Sequence, residues 1–248
     1  PDLEIYDGGR KKYSARLVKT FGIPESELAE MLTGIEREGV RLGYRSHFPE
    51  IHLRVSAAGN ALTAAEALME EFLIELSVRL GDNIFTTSGE TMEAVVGGLL
   101  SHNKQTLAVA ESCTGGLLAS RITDVPGSSE YFLEGVVTYS NEAKNKILGV
   151  PQDVLIANGA VSAPVVEAMA SGVRKLSGAD IGIGISGIAG PGGGTEDKPV
   201  GTVYIGVDIN GSGVFSNRYL FHGDRSQIKL VSTEAALNLI RKNLIKDV

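Results

Sequence analysis

The sequence predicts an α/β protein in two parts. A small α+β domain comes first, followed by a larger three-layer domain whose central sheet carries helices on both faces. Three observations predict this. Apolar periodicity over 13–88 runs in the order β-α-β-β-α-β, which fits helices laid on one face of a small sheet. From 89 onward, short apolar runs alternate with helix-length amphipathic stretches, the signature of a layered α/β fold. Glycine also becomes frequent in this second part. A length of 248 residues accommodates either one large or two smaller domains.

Residues 1–12 are polar and glycine-bearing and read as a linker or tail. A strand is predicted over 15–21, stopped by Gly22. Pro24, Glu25 and Glu27 then open a helix, because proline and acidic groups suit a first turn. Leu28, Ala29, Leu32 and Ile35 form its apolar face. Two strands are predicted within 39–56, parted by His47-Phe48-Pro49. In the second strand Ile51, Leu53 and Val55 alternate with His52, Arg54 and Ser56, which puts the latter on a wet face. Residues 62–80 form an amphipathic helix closed by Gly81, and 83–87 a short strand. The domain boundary falls near Ser88.

The second domain, 89–248, begins with a helix over 92–102 and a buried strand over 107–110. A helix follows over 117–122 and a strand over 136–139. The helix at 141–148 is capped by Ser140 and closed by Gly149 and Pro151. Another helix spans 164–176, strands span 181–185, 201–208 and 214–221, and a closing helix spans 224–244.

Composition narrows the function. Apolar residues make up 43% and charged residues 21%, which excludes intrinsic disorder. The 23 basic and 30 acidic residues give a net charge of −7, which argues against a general nucleic-acid surface. A single cysteine, Cys113, rules out an internal disulfide and leaves the redox compartment open, with a reducing cytoplasm the simpler expectation. No apolar run is long enough to span a membrane, and the N-terminus lacks a signal pattern. The absence of an initiator Met suggests a processed chain or a fragment.

Chemistry concentrates at 108–116. An apolar strand breaks into Glu111-Ser112-Cys113-Thr114, the chain turns on Gly115 and Gly116, and a helix begins. Such a junction sets nucleophilic side chains beside backbone N–H groups that could receive an oxyanion. Ser and Thr there also serve as plain helix caps. Lys144 lies in the first turn after Tyr139. The positive end of a helix disfavours an ammonium, and a neutral lysine can act as base for a serine. Gly182, Gly184 and Gly187 match Gly-x-Gly-x-x-Gly, with Asp208 at ribose-acid spacing. The match lies inside a strand, however, and Pro191 stands where a helix should start, so a dinucleotide site is rejected. The stretch reads instead as a mobile or phosphate-cradling loop. Arg225 could hold a phosphate or carboxylate, or be a solvated first-turn residue after the cap Asp224. The scattered His47, His52, His102 and His222 show no metal spacing, so no metal site is expected.

Four motifs carry a resemblance: Ala110-Glu111-Ser112-Cys113-Thr114-Gly115-Gly116, Pro126-Gly127-Ser128-Ser129, Tyr139-Ser140-Asn141-Glu142-Ala143-Lys144 and Ser186-Gly187-Ile188-Ala189-Gly190-Pro191. Together they resemble the C-terminal domain of the CinA (competence/damage-inducible) family, the nicotinamide-nucleotide amidases. Residues 10–88 resemble the KH-like middle domain of longer members. The sequence in hand does not include a counterpart of the molybdopterin-binding-like first domain of those members, so no pyrophosphatase activity is expected from these residues.

The resemblance implies hydrolysis of nicotinamide mononucleotide to nicotinate mononucleotide and ammonia, with no cofactor. It makes Ser112 the nucleophile and Lys144 its base. Tyr139 would assist proton transfer and Ser186 would support the site. Substrate would be bound by Glu111, Thr114, Gly115, Gly116, Gly187, Ile188, Gly190 and Arg225. Cys113 competes with Ser112 on intrinsic nucleophilicity. The family favours Ser112, and adjacent residues point apart. The alternative is a non-catalytic nucleotide-binding or regulatory member. The KH-like part lacks a Gly-x-x-Gly loop and is acidic, so no nucleic acid is expected. A homodimer or higher homo-oligomer is expected, because soluble chains most often assemble as closed symmetric copies of themselves.

Overall fold

A computed structural model describes residues 11–245 of the chain, which divide into two compact units after Thr91. The tail expected over 1–12 lies outside the described residues except at its end, where Lys12 already belongs to a strand. Among the described residues no helix is long and apolar enough to cross a membrane.

The first unit holds four strands, β1 (Lys12–Thr20), β2 (Val40–His47), β3 (Glu50–Gly59) and β4 (Ile84–Thr86), in antiparallel order β2-β3-β1-β4. The helices are α1 (Glu25–Met31) and α2 (Leu62–Leu80). Val18, Leu53, Val55 and Ala57 from the sheet meet Met69, Phe72 and Leu76 of α2, as period-2 and period-3.6 apolar patterns dictate. Two sequence expectations need correcting. Ala29 is exposed, because the short α1 turns only Leu28 among its residues into the core. His52 is buried, not wet, because its Nε2 lies 2.6 Å from Glu50 Oε2, and the pair shields itself from water.

The second unit opens with α3 (Met92–Asn103), then β5 (Leu107–Glu111), α4 (Leu117–Thr123) and β6 (Phe132–Val137). The helices α5 (Asn141–Leu148), α6 (Gln152–Asn158) and α7 (Ala163–Ser177) lead to β7 (Ile181–Gly187). Two antiparallel strands, β8 (Thr202–Ile209) and β9 (Gly213–Leu220), and the long helix α8 (Arg225–Leu244) finish the chain. Strand order is β6-β5-β7-β8-β9, with β6, β5 and β7 parallel. The mixed three-layer fold is thus the one the periodicity announces. Helix α6 is an addition to it: Pro151 signals a stop, yet it also caps the next helix. Strand β6 starts earlier than expected, because it is an edge strand whose Glu134 and Gly135 interrupt the apolar run.

This topology positions a crevice. The chain leaves β5 towards β6 on one side, and leaves β7 towards β8 on the other. Where neighbouring parallel strands part in opposite directions, a cleft opens beyond their carboxyl ends. Alternation along β5 sorts its side chains between the two layers. Ala108 and Ala110 pack with Leu148, Val165 and Met169 of the α5–α7 layer. Residues of the other parity face α4. The glycines of the Gly-x-Gly-x-x-Gly match serve this packing. A Cβ on Gly182 would come 2.2 Å from Ala170 O of α7, and one on Gly184 2.4 Å from Val166 O. Asp208 pairs with Arg174 at 3.1 Å, consistent with rejecting a ribose site there.

Candidate active site

Ser112 is the first residue beyond β5, and its N–H donates to Ile185 O of β7 at 3.0 Å. It continues the parity of Ala108 and Ala110, so its hydroxyl turns to the α5 side. Lys144 waits there. The side chain runs back from the first turn of α5 and is 1% exposed. Its Nζ lies 3.0 Å from Ser112 Oγ, 2.8 Å from Thr138 O and 3.4 Å from Tyr139 O.

That set of partners contains no carboxylate. Burial therefore pushes the Lys144 amine below its ordinary value, with the nearby Cys113 opposing the shift. Sequence reasoning credits the helix N-terminus; removal from water is the leading cause. The geometry suits the neutral form. A neutral amine has two N–H donors and one lone pair. The two carbonyls can take the donors, which leaves the lone pair facing Ser112 Oγ–H.

Cys113, of the opposite parity, is buried, and its thiol is pushed up to about 12, first by burial and then by the Glu111 carboxylate. A thiol held in its protonated form is a poor nucleophile, which favours Ser112 over Cys113.

Glu111 was expected to touch substrate. Instead its carboxylate accepts the N–H groups of Gly116 at 3.0 Å, Leu118 at 3.1 Å and Ala119 at 2.8 Å. The positive end of α4 is thus filled by the chain's own anion, a role that the five-residue gap hides from a search for local caps. Gly116 N–H is consequently unavailable to an oxyanion, and Gly115 N–H is bound to Ser112 O at 3.1 Å. The N–H groups of Cys113 and Thr114 have no backbone acceptor among the described residues. The buried hydroxyls of Thr114 and Thr138 likewise lack a hydrogen-bond partner there.

Ser186 lies one step beyond the Glu111–Ile185 pairing, level with Ser112, and is 1% exposed. It shares the parity of Gly182 and Gly184, so it faces the same layer as Ser112. Gly187 packs against β8, where a Cβ would meet Val203 Cγ2 at 2.7 Å; Ile188 N–H donates to Thr202 O. Gly190 O accepts from Arg225 Nη1 at 2.9 Å, and Tyr139 Oη accepts from Arg225 Nη2 at 3.0 Å. The resemblance gives Tyr139 a part in proton transfer. The structure puts its carbonyl on Lys144 and its hydroxyl on Arg225, so the residue bridges the two ends of the crevice. Among the described residues no cluster of three or more His, Cys, Asp or Glu could hold a metal.

Comparison with known proteins places this arrangement. Residues 89–244 match the model of the CinA C-terminal domain, and residues 15–86 match that of the damage-inducible protein CinA KH domain. The chain belongs to the CinA family. It is 50% identical over 245 residues to a putative competence-damage inducible protein of Moorella thermoacetica, covering 98% of this chain and 59% of that protein. It is 45% identical to a CinA-like protein of Geotalea uraniireducens, covering 93% and 55%. The chain thus spans little more than half the length of these curated relatives. Among solved structures, a CinA superfamily protein from Klebsiella pneumoniae superposes with a TM-score of 0.60 at 34% identity, over 63% of this chain and 99% of that one. One from Escherichia coli gives 0.58 at 31%, over 66% and 98%. The crevice of this CinA chain lies within the part matched by the C-terminal domain model.

Proposed function

We propose that this site hydrolyses the carboxamide of nicotinamide mononucleotide to nicotinate mononucleotide and ammonia. One observation carries the reading: a buried lysine without a counter-charge, 3.0 Å from a serine hydroxyl at the carboxyl end of a central strand. The likeness of the surrounding motifs to the amidase domain of the family supports the substrate.

The Lys144 amine removes the Ser112 proton as Oγ attacks the amide carbon. The N–H groups of Cys113 and Thr114 receive the oxyanion. When the tetrahedral species collapses, the C–N bond breaks, and the Lys144 ammonium returns its proton to the departing nitrogen as ammonia. Water, deprotonated by Lys144, then attacks the acyl-serine, and Ser112 leaves with the proton restored. Two moderate steps replace one difficult one.

The test is ammonia release from nicotinamide mononucleotide by the parent, Ser112→Ala and Lys144→Ala. The reading expects turnover by the parent alone. Nucleotide binding without turnover in all three would mark a binding protein instead.

A further inference from the structure

Lys229 belongs to none of the sequence motifs, yet it stands beside the turn that follows Ser112. It lies one helical turn after Arg225 on α8, and residues four apart share a helix face. A Cβ placed on Gly115 would lie 3.6 Å from Lys229 Nζ, so the ammonium reaches the turn that follows Ser112. It is half-buried, and among the described residues it has no ion pair or hydrogen bond. Arg225 has no carboxylate partner there either; its guanidinium holds a carbonyl and a phenol. The acid close at hand, Glu111, is committed to three N–H groups. In a chain of net charge −7, this rim is a local cationic surplus.

We propose that Lys229 and Arg225 together take the phosphate of the substrate, and that Lys229 makes the site selective for the nucleotide over its nucleoside. The assignment rests on the amidase reading for its substrate and on position for its role. Gly115 is exposed, whereas Ser112 and Lys144 lie on the buried floor. Lys229 therefore meets the outer end of a ligand whose carboxamide is at Ser112. Tyr139 links the two ends, with its carbonyl on the base and its hydroxyl on Arg225. An ammonium and a guanidinium from adjacent helical turns suit the several oxygens of a phosphate monoester.

The experiment compares ammonia release from nicotinamide mononucleotide and from nicotinamide riboside, in the parent, Lys229→Ala and Lys229→Arg. Lys229→Ala should raise KM for the nucleotide about tenfold and reduce the nucleotide-over-riboside preference by a similar factor. Lys229→Arg should restore most of both. Equal losses on the two substrates, or a fall in kcat with KM unchanged, would overturn the phosphate role. Calorimetry with ribose 5-phosphate, against ribose as control, needs no turnover and so separates this inference from the amidase reading. Weaker binding of ribose 5-phosphate to Lys229→Ala, with thermal unfolding unchanged, is the expected result. Undiminished binding, or no binding by the parent, would refute it.

Discussion

Lys19 in the first unit and Lys144 in the second are both buried, and they are buried in opposite ways. Lys19 is 8% exposed, with the Glu50 carboxylate at 3.7 Å and its Nζ 5.9 Å from the centre of the Phe85 ring. Lys144 is 1% exposed and meets two carbonyls and a hydroxyl. A charge taken out of water needs a partner of opposite sign, or else it gives up its proton. Lys19 has such a partner. Lys144 has none, and burial lowers its proton affinity. Burial alone therefore does not single out Lys144; the proposal for it as base rests on burial without an anion beside a hydroxyl.

The sharpest way to break this comparison is to remove each lysine in turn. Lys144→Ala and Ser112→Ala should each cut ammonia release by roughly 10³-fold or more, as removal of one member of a catalytic pair does elsewhere. Lys19→Met should leave turnover within about twofold, since Lys19 lies outside the unit that holds the chemistry. Comparable losses from both lysines would mean that the difference in their surroundings has no catalytic meaning.

A pH series sharpens the same point. The folded Lys144 binds its proton less tightly than the unfolded chain does. Between its lowered value and the ordinary lysine value, the unfolded state holds more protons, so folding stability rises with pH across that window. Turnover should also rise as the pH passes the lowered value, because the neutral amine is the active form. Lys144→Met should flatten this part of the stability curve, read by thermal unfolding at successive pH values. An unchanged slope in Lys144→Met would show that Lys144 is not the group responsible.

A smaller effect is expected at Cys113. With the thiol held near 12, Cys113→Ala should keep more than half of the turnover. Iodoacetamide at pH 8 should spare the folded protein and label it after denaturation. Rapid labelling accompanied by loss of turnover would shift the nucleophile to the thiol.

Much of this is legible in the sequence, and the exceptions share a cause. The helix Asn141–Leu148 announces itself through the Ser140 cap and the Gly149 stop, because capping is local chemistry. Residue chemistry offers Lys144 as a base for a serine, but its pairing with Ser112 comes from the resemblance, because 32 residues separate the two and the crossover topology brings them together. Glu111 misleads because its carboxylate reaches over a turn to N–H groups five to eight residues on. Lys229 escapes notice although its spacing from Arg225 is a plain helical one; nothing local says which face of α8 looks towards the crevice. Short-range rules read caps and periods well. They do not reveal which parity of a strand faces which layer.

The smallest effect on turnover, and the cleanest test of the other lysine, comes from Glu50. Its carboxylate meets both Lys19 Nζ and His52 Nε2. Glu50→Gln keeps the shape and removes the carboxylate that is ion-paired with Lys19, leaving only the more distant charge of Glu90 to face it. Breaking a buried pair in this way should destabilise the first unit by about 3 kcal/mol. Denaturant unfolding of Glu50→Gln, set beside Lys19→Met and the double variant, would measure it. The double variant should recover part of the loss, since replacing both members of a buried pair with uncharged groups costs less than orphaning one. Ammonia release should remain within about twofold throughout. If Glu50→Gln proved no more harmful than a surface substitution, Lys19 would tolerate burial without its ion-pair partner. The absence of a carboxylate around Lys144 would then no longer distinguish the two lysines, and the case for Lys144 as base would rest on its 3.0 Å approach to Ser112 alone.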